Sequence, residues 1–417
     1  MYLRKGSKER TVQRGLRRSF GFEGKMGYDG NIDVLCFGGE DWWYHNRGHA
    51  DMQLMKRFSQ KGTVLYINSI IMGKPVIADK KEFTEKIVRK ARSIFTGLKS
   101  SGVGFWVYSP VALPVHHISW ARPFNQAMLR YQIRRVVRKL RMNDPAVWIV
   151  NPVACDTALK IRRNKLIYQR TDRYEEYPNV DVQTITGYDR KLKSEADLTV
   201  FVNALLYDQE AGQCKNAIYL DHGVDFDAFS SAQDNPKKPE DIACIDGPVA
   251  GYFGAIDPHK LDVKFIETVA ELSPEVSFVF VGKVSREFVH LAERKNVWFL
   301  GQKPYDQIPD YGKSFDVAIL PWRKNPWTEA ANPIKLKEYL ALGKPVVSTS
   351  AFSEIEKYLD LICVADTPEE FSRNIANAVC DNSPEQIAAR RKRVEHTSWE
   401  SKAEEVLAAV LGNENQA

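Results

Sequence analysis

Short apolar runs rich in β-branched residues alternate with amphipathic helical stretches along this 417-residue chain, and the alternation occurs twice. In the first series strands are expected at 32–37, 63–68, 103–108, 147–150, 166–168, 198–202 and 217–220. Helices are expected between them at 48–60, 81–98, 124–140, 188–195 and 204–211. The stretch 230–248, SSAQDNPKKPEDIACIDGP, breaks the rhythm with prolines and charges and reads as a connector. A second series follows, with strands at 249–253, 277–281, 297–299, 316–320, 345–349 and 361–364 and closing helices at 368–379, 384–395 and 398–411. Alternation of this kind specifies an α/β fold with parallel sheets. The expected organisation is a basic N-terminal arm (1–30), an N-terminal α/β domain (31–235), a linker (236–248), a C-terminal α/β domain (249–397) and a terminal helix (398–413). Open parallel sheets bind ligands beyond the carboxyl ends of their strands, so two such domains are expected to face each other across a ligand-binding cleft.

Composition narrows the classes. Apolar residues make up 44% of the chain and charged residues 27%, which is ordinary for a globular protein and excludes collagen-like and wholly disordered chains. Cys36, Cys155, Cys214, Cys244, Cys363 and Cys380 form no CxxC pair. They read as reduced, mostly buried thiols rather than a disulfide framework or zinc site. No apolar run reaches bilayer-spanning length, and the basic start MYLRKGSKERTVQRGLRRSF has no apolar core, so neither a membrane span nor a secretory signal is expected.

Charge is uneven. The net is +6, and residues 1–30 alone hold eight Lys/Arg against three Asp/Glu. The remainder is close to neutral, which argues against nucleic acid as a partner. The arm suits an acidic surface such as an anionic membrane. A second basic feature is the helix at 124–141. It sets Phe124, Met128, Tyr131, Val136 and Leu140 against Arg130, Arg134, Arg135, Arg138, Lys139 and Arg141. It reads either as a helix lying on an anionic leaflet or as one packed on the sheet with its basic face in solvent.

The sharpest stretch is 330–350, AANPIKLKEYLALGKPVVSTS. Asn332 is expected to cap a helix with Pro333 at its first position. The free amides at that helix start suit a phosphate. Lys335 in the first turn opposes the helix dipole, a conflict that an anionic ligand removes. Glu338, one turn on, is acceptor-only and suits the two hydroxyls of a ribose. Together they point to a nucleoside diphosphate. The other reading of the same spacing is a surface Lys–Glu pair on an ordinary helix.

Six segments in order carry a resemblance: YLDHGVDFDAF, GPVAGYFGAID, FVFVGK, NVWFLGQKPYDQIPDYGKSFDVAILPW, NPIKLKEYLALGKPVVST and SWESKAEEVLAAV. They resemble the donor half of GT-B fold glycosyltransferases, the large retaining group related to sucrose synthase and bacterial lipopolysaccharide transferases. The Asn-Pro-x-Lys-x-x-Glu variant resembles a subgroup serving bacterial surface polysaccharides, teichuronic acid included. The resemblance implies two Rossmann-like domains across a deep cleft, with the terminal helix crossing back to the first. It implies transfer from a nucleotide-sugar to a glycan or lipid-linked acceptor, with no further cofactor and no metal. It implies a cytoplasmic location, peripheral on the inner face of the plasma membrane. It places Glu338 on the ribose and Gly254 and Lys260 near the diphosphate, with Lys283 as a further basic candidate and Tyr305 in the base-binding loop. The family's other glutamate falls at Ala330, with Glu329 next door as the substitute. Trp322 and Arg323 follow a strand and are expected to point into the cleft, where Arg323 meets diphosphate or an acidic sugar.

Acceptor candidates lie mainly in the N-terminal half. The loop 37–53, FGGEDWWYHNRGHADMQ, offers Glu40, Asp41, the sugar-stacking faces of Trp42 and Trp43, and His49 for proton transfer. In TDRYEEYP, Asp172 is the expected base or acceptor-positioning group and Arg173 a phosphate or carboxylate partner. His222 meets the diphosphate or caps the hinge. Two rivals share the architecture: a nucleotide-sugar 2-epimerase, and a non-catalytic partner that binds nucleotide-sugar or membrane.

Overall fold

The computed structural model describes residues 32–44, 48–73, 80–113, 118, 120–235, 237–380 and 382–412. The basic arm 1–30 lies outside the described residues. The chain divides into two compact units, passing from the first to the second after Ile167. The sequence reads 236–248 as a polar linker. That polar stretch is itself packed on the second unit. Ile242 and Ile245 join its core, and Asp241 accepts from Tyr311 (2.8 Å) and pairs with Lys303 (2.5 Å).

In the first unit, strands β1 (Val34–Phe37), β2 (Val64–Ile67), β3 (Leu98–Ser100), β4 (Trp106–Tyr108) and β5 (Ala146–Ile149) lie in the order β3-β4-β2-β1-β5. All pair in parallel except the edge strand β3, which is antiparallel to β4. Sequence had not separated β3, because LKS carries no apolar run. β1, β2 and β5 are buried throughout, as parallel strands covered on both faces must be. Helices Ala50–Phe58, Lys80–Thr96 and Arg122–Lys139 connect them.

The second unit begins with β6 (Leu166–Arg170), which starts at the unit boundary, followed by β7 (Leu198–Phe201) and β8 (Ala217–Tyr219), neighbours in that order. Its six-stranded sheet is wholly parallel: β9 (Val249–Phe253), β10 (Ser277–Val281), β11 (Val297–Phe299), β12 (Val317–Leu320), β13 (Val346–Ser348) and β14 (Cys363–Val364), in the order β11-β10-β9-β12-β13-β14. This is the doubly wound arrangement, in which strand order reverses between β9 and β12. A crevice opens beyond the carboxyl ends of these two strands. The loops leaving them carry Gly254 and Trp322-Arg323.

Two glycines make that crevice. Gly254 has φ +138°, and a Cβ there would lie 2.9 Å from Lys335 Cε. A Cβ on Gly282, after β10, would lie 1.8 Å from the Gly254 carbonyl oxygen. Of the cysteines, Cys36 and Cys155 are buried, but Cys244, Cys363 and Cys380 are exposed, contrary to the expectation of mostly buried thiols. They sit at helix and strand ends, where one side of the element faces solvent. Gly282→Ala should cost about 1–3 kcal/mol through this backbone clash, read as a lower urea midpoint at unchanged m.

Candidate functional site

Helix Ile334–Ala341 begins one residue later than the sequence suggests. Pro333 takes the N-cap position, and no side chain caps the helix. The Asn332 amide is engaged elsewhere, donating to the Val202 carbonyl (2.7 Å) and to Asp221 Oδ1 (2.8 Å). Asp221 drew it away because that carboxylate is the hub of the segment. Asp221 also accepts from the His222 backbone N–H (2.7 Å) and pairs with the buried Lys337 ammonium (2.6 Å). Lys337 donates in addition to the His222 carbonyl. Burial pushes the Asp221 carboxyl up, but Lys337 and Asn332 outweigh it and hold it at about 2. The His222 imidazole is buried beside Trp399, ring centroids 6.0 Å apart. Burial and Lys337 lower it to about 3, so it is neutral and enclosed rather than presented to an anion.

On the other side of this helix, Lys335 reaches back under the Gly254 loop. Its Nζ lies 5.6 Å from the Tyr252 ring centroid and 5.3 Å from that of Trp322. Lys260 Nζ lies 5.3 Å from the Trp327 centroid, and the two indoles stack at 6.2 Å. Trp322 is thus a buried floor for a cation rather than a side chain reaching into open space. Burial lowers the Lys335 pKa, as does the nearby Lys260 charge, against the pull of Glu338 and Asp257. Lys260 has a loose partner in Asp257 at 4.0 Å. Glu338 is buried and accepts from the Tyr305 hydroxyl (3.0 Å). Burial raises its pKa, while Tyr305 and Lys335 oppose the rise. The surface-pair reading of Lys335 and Glu338 therefore gives way to a half-buried ammonium near a buried carboxyl group.

The loops after β9 and β12 are fixed to each other. The Arg323 N–H donates to the Lys260 carbonyl (2.8 Å) and the guanidinium to the Pro258 carbonyl (2.9 Å). They border a pocket of about 220 Å³ lined by Glu176, Pro258, His259, Arg323, Asn325, Pro326 and Trp327. Lys283 is exposed, and its contact with the loop is through its backbone carbonyl, which accepts from Ile256 N–H (2.9 Å).

Arg173 brings the 171–177 loop to this region. It donates to the Pro326 carbonyl (3.2 Å) and Gln209 (2.8 Å) and stands 3.6 Å from Glu329. Asp172 accepts from the Tyr177 hydroxyl (3.0 Å). Behind the loop, the fully buried Arg170 binds Glu175 (2.9 Å), Glu210 (3.2 Å) and Asp189 (3.3 Å). Ala330 is fully buried against Phe201 and Leu206, so a carboxylate has no room there, while Glu329 projects outward.

In the first unit, Trp42 is a core residue, edge-on to Phe105 at 4.7 Å, and has no face for a sugar. Its N–H is held by Asn68 Oδ1 (2.9 Å), which turns the chain inward after β1. Trp43 is half-buried under Lys99. Asp41 accepts from the Trp43 N–H (3.0 Å) and the Ser93 hydroxyl (2.7 Å), and the Glu40 carbonyl accepts from Tyr66 (3.0 Å). His49 is exposed just ahead of helix Ala50–Phe58. Sequence reasoning missed Lys337, Arg170, His259 and Trp327. Trp327 had a usable signal, its place one turn beyond the Trp322-Arg323 strand end.

The Lys337–Asp221 pair yields a pH test. Asp221 has a folded pKa below its usual 3.8, so its contribution is complete above pH 4 and is lost as pH falls through about 2. The stability gap between the native chain and Asp221→Asn should shrink by roughly 2 kcal/mol between pH 5 and pH 2. Lys337→Ala should cost about 3–5 kcal/mol at neutral pH by stranding the carboxylate. Urea unfolding across pH measures both.

Residues 247–381 match the family model for glycosyl transferases group 1. A putative teichuronic acid biosynthesis glycosyltransferase, TuaH of Bacillus subtilis (strain 168), is 30% identical over 185 residues, which are 43% of this chain and 46% of that protein. The chain thus matches about half the length of that relative. Among solved structures, sucrose-phosphate synthase from Thermosynechococcus elongatus superposes with TM-score 0.68 at 13% identity, over 93% of this chain and all of that one. HepE from Anabaena, in complex with UDP, superposes with TM-score 0.60 at 15% identity, over 91% of this chain and 99% of that one. The fold is the GT-B fold. Gly254, Lys260, Lys335 and Glu338 all lie within 247–381, the stretch that matches the model for glycosyl transferases group 1.

Proposed function

We propose that the chain is a glycosyltransferase that moves a sugar from a nucleoside diphosphate to a hydroxyl of a lipid-linked glycan during bacterial surface-polysaccharide synthesis. The observation that carries this reading is the pair of ammonium groups, Lys260 and Lys335, held on indole faces beside a helix start that no side chain caps. An anion between them offsets the burial, and relieves the Lys260 repulsion, that lower Lys335. In this reading the diphosphate takes both ammonium groups and the amides at the start of helix Ile334–Ala341. Glu338, aligned by Tyr305, takes the ribose hydroxyls.

Asp172 orients the acceptor hydroxyl, and Glu329, steered by Arg173, supplies the sugar contact that buried Ala330 does not. The attacking hydroxyl forms the new bond to the anomeric carbon as the bond to the diphosphate breaks, and its proton passes to the leaving phosphate oxygen. Retention of anomeric configuration follows from attack on the leaving-group face. The ammonium groups and the helix dipole stabilise the leaving diphosphate, so no divalent ion is required. That HepE is described with UDP, with UDP and glucose and with UDP-glucose supports a uridine nucleotide-sugar as the first donor to try.

Calorimetric titration with UDP-glucose and other nucleotide-sugars tests the donor site. Glu338→Ala and Lys335→Met should each weaken binding at least tenfold, and release of nucleotide in the presence of acceptor should persist in EDTA. Full nucleotide binding without turnover on a verified acceptor would favour the non-catalytic partner. Indifference to every nucleotide would remove the reading.

A further inference from the structure

Residues 86–143 contain twelve Lys and Arg and no Asp or Glu. The same stretch holds nine of the fifteen large apolar side chains that are exposed among the described residues. Basic charge and exposed apolar surface coincide at helix Arg122–Lys139. Asn125, Leu129, Ile133 and Val136 form its buried stripe. Asn125 and Gln132 hold the preceding loop along the helix. The Leu113 N–H donates to Asn125 Oδ1 and Asn125 Nδ2 donates to the Leu113 carbonyl, both at 2.9 Å. Gln132 does the same with both backbone groups of Val111, at 3.0 Å each. With their backbones tied down, Val111 and Leu113 still expose their side chains.

Trp120 is 84% exposed, Phe124 69% and Tyr131 64%. Among the described residues, three aromatics this open to water cluster around one helix and its lead-in. Toward the C-terminal end of the helix, Arg134, Arg135, Arg138 and Lys139 are exposed. An apolar aromatic tip followed by a cationic block is the chemistry of the water–lipid interface, where Trp and Tyr settle at headgroup depth and arginines meet lipid phosphates. A nucleic-acid duplex would call for cations alone, a single strand would stack on aromatic faces without the aliphatic Val111 and Leu113 beside them, and an ordinary protein interface depletes charge at its centre.

We infer that helix Arg122–Lys139, with Val111, Leu113 and Trp120 beside it, is a docking face for an anionic bilayer. Trp120 and Phe124 enter the headgroup region, and Arg134, Arg135 and Arg138 pair with lipid phosphates. The purpose of such a face rests on the lipid-linked acceptor proposed above, but its existence does not.

Flotation of the full chain with phosphatidylglycerol–phosphatidylcholine vesicles, against phosphatidylcholine alone, tests it without any nucleotide. The chain should float with the anionic vesicles only, and less so as salt rises. The double variant Trp120→Ser, Phe124→Ser should lower the partition at least tenfold. Each of Arg134→Gln, Arg135→Gln and Arg138→Gln should lower it roughly fivefold. Brominated acyl chains should quench tryptophan fluorescence in the native chain and much less in Trp120→Phe. Circular dichroism confirms that each variant is folded. Absence of vesicle binding, unchanged binding by the aromatic double variant, or equal displacement by single-stranded nucleic acid would each overturn the inference. A chain that binds vesicles but no nucleotide-sugar leaves the docking face standing and removes the donor reading, and the converse result does the reverse.

Discussion

The ion pair between Lys337 and Asp221 holds the framework of the candidate site. An ammonium only 2% exposed is tolerated only with a close counter-charge, and Asp221 supplies it at 2.6 Å. The same carboxylate gathers the Asn332 amide and the His222 N–H, so one side chain joins the helix, the residue before it and the 221–223 segment. The Tyr339 hydroxyl adds a tie from the same helix to β9, accepting from the Phe253 N–H at 3.0 Å. Lys335 and Glu338 therefore stand on a helix whose position is set by buried polar bonds to two other parts of the unit.

Lys335 and Lys337, two residues apart, illustrate two ways of treating a cation. Lys337 is neutralised by a carboxylate and has no capacity left for a ligand. Lys335 rests on aromatic faces, which attract it without cancelling its charge, and it has a second cation as neighbour. A positive site assembled before any anion arrives need not reorganise when charge develops on a leaving group. The rest of the sheet fixes its shape. Gly254 leaves the space that the Lys335 stem occupies, and Gly282 lets the Gly254 carbonyl pass close by.

Strand and helix periodicity made the α/β class and nearly every element of the second unit legible, because parallel strands buried on both faces are continuous apolar runs. That Lys335 and Gly254 come together was legible because it depends on a helix start and a strand end. Asn332 was misread for a physical reason. Asn-Pro before a helix is a sound capping signal, but a carboxylate 111 positions away in sequence competes for the amide and wins. Lys337 was invisible for the same reason, since its partner is equally remote. Trp42 looked like a loop aromatic, yet the Asn68 bond folds the loop under and gives the ring a core position. Ala330 departs from the expected glutamate where packing against Phe201 and Leu206 leaves no volume for one.

Sequence left helix 122–139 with two readings, packed on the sheet or lying on a membrane, and the two are not exclusive. A helix has room for one buried stripe and one outward face. Here Leu129, Ile133 and Val136 serve the first, so a membrane would meet only part of the set that an apolar count selects. Val136, expected on the lipid side, is in the core, whereas Phe124 and Tyr131 stay outside with the arginines. Stability within the unit gives no cause to keep them there, since an outward aromatic buries little area and contributes little to folding. Trp120, outside the helix and more exposed than either, extends the same apolar surface beyond the reach of helical periodicity. Asn125 and Gln132 hold the backbone that carries Val111 and Leu113 with paired hydrogen bonds, so these two side chains are positioned before any contact is made. A preorganised apolar tip beside exposed arginines loses little conformational entropy on docking, which is the condition under which a small face can bind.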